Sequence, residues 1–420
     1  MARSVTGAND SAKNVPPLRP LLPAVVASGV YAVAALVWIA FGDVLPGGRW
    51  VPVHLFTAGV LSNMIVALTH HFAQTLLHTP GRTVRHGRFA LLNVGAVLLV
   101  AALLLDMPRA FAVGATMLTA AVLWLYVDLR RLRKRSLTGR FTFVVRGYER
   151  ACGAFVHGAI LGALMGVGLF SGGWYGAARL AHLHANVLGW GGLTLLATVV
   201  FFGPTVMRTR MENGADAAAM PALRVATTGL TIDALALLLT GGGSVWVLPA
   251  RLVAAGGLAA YAAGATAVCL PVLRAARRAR PSPQAWSLRS ACTWMVAAVW
   301  ADVLVVATGR LRLLDALGAI LLVGVLGQAI LGAVGYLTPM IKGSGPSGRA
   351  VIRQRLDGLP RARLVMLNLG VGLVVIAVWI GDIAGIAGSV LARVGWVLVA
   401  VAVLTQLLLM ATKSRSPAAT

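Results

Sequence analysis

Long apolar runs alternate with short polar connections along almost the whole chain. A helix needs about 17 to 25 mostly apolar residues to cross a hydrocarbon layer. On that criterion the sequence predicts spans at Leu21 to Gly42, Pro52 to Leu77, Phe89 to Leu105, Ala110 to Leu129, Tyr148 to Phe170, Leu180 to Val206, Ala222 to Thr240, Leu252 to Leu273, Ser290 to Thr308, Leu314 to Ile341, Leu364 to Ile380 and Val390 to Ala411. The expected fold is all-α: a polytopic membrane protein of twelve transmembrane helices. One transmembrane domain over 21–412 would lie between tails at 1–20 and 413–420.

Composition agrees with this pattern. Hydrophobic residues make up 58% of the chain and charged ones 12%, more apolar surface than a soluble domain of this length can hide. A formal net charge of +25 taken alone suggests nucleic acid. Its distribution excludes that partner, because the arginines sit in connections between spans and form no stripe. Of the 37 Lys and Arg residues, only Arg49, Arg109, Arg179, Arg251, Arg310, Arg312 and Arg393 fall on the side opposite the N-terminus. This asymmetry predicts both termini inside, in the plasma membrane, with lipid headgroups against the Arg130 to Arg150 loop. The first span lacks a small-residue cleavage site and reads as a retained helix. Cys152, Cys269 and Cys292 form no C-x-x-C and read as small apolar fillers.

The stretch from Ala181 to Met211, AHLHANVLGWGGLTLLATVVFFGPTVMRTRM, carries the candidate chemistry. Histidine in a membrane span is costly to bury and marks a functional site by default. A shift of about 130 residues places His54 on His184 and Gly59 on Gly189; a further shift of about 135 places Gly189 on Gly324 and Pro204 on Pro339. The chain thus reads as three four-helix units, about 21–129, 148–273 and 290–411, forming three similar arcs. His54 and His184 fall at comparable depth, within roughly 10 Å of the outer boundary. Two neutral imidazoles on different helices can clamp a heme iron from both faces. Gly59, Gly189, Gly191 and Gly192 would let the macrocycle approach the backbone, and Trp190 would line the cavity. The competing reading is a set of interfacial histidines bonded to water or carbonyls. His182 points to another face than His184 and is expected on a propionate, a water or a loop. Near the inner end, His70, His71 and His157 offer a weaker second site, although His70 and His71 do not share the face of His54; the alternative is histidines capped or bonded to water at the inner helix ends. Asp233 and Asp302 are intramembrane acids able to relay protons or bind a quinol headgroup; the plainer expectation is a hydrogen bond to Ser, Thr or Asn across helices.

Twelve helices in three arcs, with histidine near the outer start of span two, resemble the catalytic subunit of heme-copper oxidases and nitric oxide reductases. RLAHLHANVLGWGGLTLLATVVFFGPTVMRTRM with GQAILGAVGYLTPMIKGSGP is similar to the membrane halves of actinobacterial proteins that carry a multicopper oxidase or copper nitrite reductase domain. The resemblance implies a heme b carried by His54, with His184 as the replacement ligand inferred here. It also implies electrons passing in a respiratory chain from quinol toward an external cupredoxin or copper nitrite reductase. Span seven, TTGLTIDALALLLTGGG, lacks the histidine pair that binds copper, and span ten has no histidine. The oxygen- or nitric oxide-reducing site is therefore expected to be absent, and copper is unsupported. Two alternatives stand beside this reading. One is a heme- or copper-binding protein of nitric oxide or copper stress, similar to NnrS-type proteins; the other is a small-molecule transporter.

Overall fold

A computed structural model of the chain describes residues 18–79, 85–136, 139–384 and 386–411. The expected tails lie almost wholly outside the described residues, as does Arg82. Within them all regular structure is helical. Among the described residues eleven helices are long and apolar enough to cross a membrane: α1 (Arg19–Ala40), α2 (Trp50–Leu76), α3 (His86–Leu104), α4 (Pro108–Arg135), α6 (Gly172–Met207), α7 (Ala215–Gly242), α8 (Val245–Ala276), α9 (Pro283–Thr308), α10 (Leu311–Lys342), α12 (Pro360–Ile380) and α13 (Ile386–Ala411). The expected fifth span is helix α5 (Thr142–Gly166). It falls outside the eleven because Arg146, Glu149 and Arg150 occupy its early turns and shorten its apolar stretch. A short basic helix, α11 (Gly345–Leu356), precedes α12.

Polar contacts identify the two ends of the bundle. At one end Arg49 meets Asp315 and Arg393 meets Asp43 at 3.3 Å. At the other, Arg133 clasps Glu149 through two bonds of 2.7 and 3.1 Å, and Arg140 meets Asp216 at 3.2 Å. Burial then sorts the helices by depth in the bundle. The apolar windows of α2 and α6 are 72% and 78% buried, against 17% for α1 and 22% for α13. Helices α2 and α6, which carry His54, His182 and His184, are thus central, and the terminal helices lie at the periphery.

Three helices widen into π turns: α2 over Leu55–Leu61, α6 over Ala185–Leu193 and α10 over Ile320–Gly327. These turns begin at Leu55, Ala185 and Ile320, the same two intervals at which the sequence aligns with itself. A π turn breaks the regular i→i+4 ladder and changes which carbonyls find a partner. Away from water those groups need partners inside the protein. Neighbouring side chains supply them. Ser62 Oγ donates to Thr57 O at 2.8 Å, Ser28 Oγ to Val60 O at 3.2 Å, and the Tyr261 hydroxyl to Leu188 O at 2.9 Å.

A second recurring device sets the helix crossings. Gly95 and Gly114 join α3 to α4, Gly229 and Gly257 join α7 to α8, and Gly370 and Gly395 join α12 to α13. At each crossing a Cβ on either glycine would lie within 3.0 Å of the facing glycine's carbonyl oxygen. The backbones touch, and packing of this closeness holds membrane helices together where burial from water gives no drive.

Candidate functional site

The deepest polar cluster forms where α6, α7 and α9 meet. His184 ends the α-helical first part of α6, immediately before the π turn. Its Nδ1 lies 2.7 Å from Asp233 Oδ2 on α7, and its Nε2 lies 3.4 Å from Asp302 Oδ2 on α9. All three residues are at most 1% exposed. The short Nδ1 contact holds one shared proton, donated by the ring to the carboxylate. At Nε2 the second carboxylate is close but makes no hydrogen bond, and Asp233 Oδ1 and Asp302 Oδ1 also lack partners.

Local packing explains why these groups converge. The α7–α8 crossing brings Gly257 against the backbone nitrogen of Asp233, where a Cβ would sit 2.7 Å away. Tyr261, one turn further along α8, reaches into the π turn of α6 only because position 192 is glycine; a Cβ there would stand 2.3 Å from its hydroxyl. Tyr261→Phe is expected to orphan the Leu188 carbonyl and cost about 1–3 kcal/mol, measured as thermal unfolding of the detergent-solubilised protein.

The pairing expected between His54 and His184 differs from what the structure forms. The ring beside His54 is that of His182, with centroids 6.2 Å apart and planes inclined by 23°. His54 also stacks on Trp50 at 3.7 Å, and its Nδ1 is bonded to Trp50 O at 2.9 Å. His182 Nδ1 bonds Gly158 O at 2.7 Å, in place of the propionate, water or loop expected. Nor do the glycines expected to admit a flat cofactor present an open face. Tyr31 packs on Gly59, Ala154 and Leu230 on Gly189, Leu326 and Leu61 on Gly191, and Tyr261 and Met295 on Gly192. Trp190 is 1% exposed, donates to Ser62 Oγ at 3.1 Å and packs on Phe155, so it fills the core. With both nitrogens of His184 facing carboxylates and the glycine surfaces covered, the residues do not fit a heme held between His54 and His184.

The inner histidines also separate. His70 Nδ1 lies 2.8 Å from Arg88 Nη2, and the guanidinium, which only donates, occupies that lone pair. Arg88, 2% exposed, binds Asp128 at 3.0 Å, with Arg85 at 3.5 Å from the same carboxylate. His71 Nδ1 and His157 Nε2 are buried without hydrogen-bond partners. Among the described residues no ring contact joins His70, His71 and His157, and no group of three or more His, Cys, Asp or Glu residues is arranged to hold a metal ion. Sequence reasoning passed over Arg88 and Asp128, although a charge inside each of two successive apolar helices was the available sign. Asp233 and Asp302 were expected on Ser, Thr or Asn, and His184 is the partner of both.

No protein-family model matches the chain, and no curated protein matches it.

Proposed function

We propose that this membrane protein carries protons through the Asp233–His184–Asp302 cluster, in response to the potential across the membrane. One observation carries the reading: an ionisable triad drawn from three helices is sealed in the bundle, where a neutral network would hold the helices together at lower cost. Elsewhere the chain uses such networks. Asn63 and Asn93 exchange bonds of 3.0 and 2.9 Å between α2 and α3. Asn368 on α12 accepts from Trp294 at 2.7 Å and Gln328 at 2.9 Å. Removing ions from water costs several kcal/mol each; the other buried cluster, His70–Arg88–Asp128, sets a guanidinium against its carboxylate, whereas here two acids share one imidazole with no such counter-ion, which is explained by a need to titrate. Ionisable chains of this kind inside membranes mark proton paths.

The chemistry follows from the two ring nitrogens. A proton delivered from the Asp302 carboxyl to Nε2 makes His184 an imidazolium, flanked by carboxylates on both sides. Release of the Nδ1 proton to Asp233 leaves the other neutral tautomer. One proton enters at one nitrogen and one leaves at the other, and the ring resets by the reverse exchange or by turning over. Asp302 at 3.4 Å is the looser partner, and a small approach completes that bond.

Several features support a wider architectural reading. The recurring π turns and glycine crossings favour three four-helix units, with α5 as a twelfth crossing. The basic connections favour both termini inside the cell membrane. The electron-transfer reading, with heme, quinol and an external copper protein, now rests on resemblance alone.

The test uses the full chain in liposomes loaded with a pH-sensitive dye, with flux driven by a potassium diffusion potential. Wild type is expected to acidify or alkalinise the lumen according to the sign of the potential, and Asp302→Asn to slow this at least tenfold. Flux equal in wild type and Asp302→Asn would remove the proposal. An absorption spectrum of the same preparation separates the redox alternative, which requires a low-spin b-type heme signal.

A further inference from the structure

The pair His54 and His182 takes no part in the proton reading, and the two rings lie near-parallel with centroids 6.2 Å apart. We propose that His54 and His182 form a two-coordinate site for a soft monovalent metal ion, Cu(I) or Ag(I), at the end of the bundle opposite the Arg133–Glu149 contacts. Each Nδ1 is held by a backbone carbonyl, Trp50 O at 2.9 Å and Gly158 O at 2.7 Å. A carbonyl only accepts, and Gly158 O at 2.7 Å is nearer to His182 Nδ1 than the Asn186 amide nitrogen at 3.3 Å, so Nδ1 carries the hydrogen in both rings and Nε2 the lone pair. This fixed tautomer, oriented through Nδ1, is the state in which histidine ligates metals. Among the described residues neither Nε2 has a hydrogen-bond partner, so both lone pairs are available.

The spacing matches one shared ion. Imidazole nitrogen ligates at about 2 Å, and two rings opposed across one ion then stand about 6 Å apart, centre to centre. The observed separation is 6.2 Å. The immediate surroundings decide the kind of ion. The rings contact Trp50, Asn186 and the backbone of α5, and no carboxylate or thiol is among these contacts. Two neutral nitrogens do not meet the tetrahedral demand of Zn(II) or the oxygen demand of Ca(II) and Mg(II). Cu(I) and Ag(I) accept two donors and bind imidazole. Trp50, stacked on His54 at 3.7 Å and 16°, fixes the plane of the first ring. Gly162 makes room for the second, since a Cβ there would lie 2.7 Å from His182 Cε1. It is a positioning residue. Both histidines are only partly buried.

The experiment is anaerobic titration of the full-length protein in detergent with Cu(I), in competition with a chromogenic Cu(I) chelator. One ion per chain is expected to bind. His54→Phe and His182→Gln should each weaken binding at least a hundredfold, Gly162→Ala at least tenfold with both ligands still present, and His157→Gln not at all. X-ray absorption at the copper edge of the unaltered protein, which needs no variant to fold, should show two imidazole nitrogens and no sulfur. Failure to bind Cu(I), retention of affinity after loss of either histidine, or a sulfur-containing shell would overturn the assignment.

Discussion

Asp233→Leu is expected to destabilise the protein by about 3–5 kcal/mol, whereas Asp233→Asn costs less than about 1.5 kcal/mol yet abolishes proton movement. The difference comes from what each change leaves behind. Leucine removes the acceptor 2.7 Å from His184 Nδ1, and the ring nitrogen keeps its hydrogen with nothing to receive it. Asparagine retains an oxygen at that place and drops only the charge. The Nδ1 contact becomes a neutral one like Asn63 with Asn93, stable but unable to accept the proton that His184 must release. Thermal unfolding in detergent gives the first quantity, and liposome flux gives the second. Equal stability of the two variants would mean that the buried contact contributes nothing.

Two neighbouring glycines give the second large effect, of opposite sign. Gly257→Ala is expected to lower stability by about 1–3 kcal/mol, because the new Cβ would meet Gly229 O at 2.6 Å and Asp233 N at 2.7 Å. These are backbone atoms and cannot turn aside, so α7 and α8 must separate and carry Asp233 away from His184. Gly256 faces open space, with nothing within 4 Å of its ideal Cβ. Alanine there meets no neighbour and gains up to about 1 kcal/mol of helix propensity. Unfolding midpoints of the two single variants, measured side by side, check the prediction. Gly257→Ala is also expected to slow proton flux, which a purely local packing defect would not do.

How much could be foreseen differs between levels. The apolar runs were visible because span length and hydropathy are local properties, and most expected spans coincide with long helices. Tyr148 to Phe170 is the instructive difference. A window drawn from Tyr148 to Phe170 leaves out Arg146 and borrows apolar residues beyond Gly166, while the helix itself runs Thr142–Gly166 and carries Arg146, Glu149 and Arg150 in its early turns. The self-alignment at His54 and His184 was also visible, and π turns open at Leu55 and Ala185, one residue beyond each histidine. The partners of these histidines were not visible. His182 and His184 lie two residues apart on one helix, so they face different neighbours. His182 meets His54 of α2 and Gly158 of α5; His184 meets Asp233 of α7 and Asp302 of α9.

By itself the sequence determined that this chain is a bundle of membrane-crossing helices, because each span needs only its own residues to satisfy its backbone and present an apolar surface. It also marked the residues whose burial demands an explanation: His54, His182, His184, Asp233 and Asp302. Only the tertiary structure decided which of them meet, because side-chain contact between helices depends on rotation and depth. Those are set by touching glycines and widened turns many residues from the groups they position.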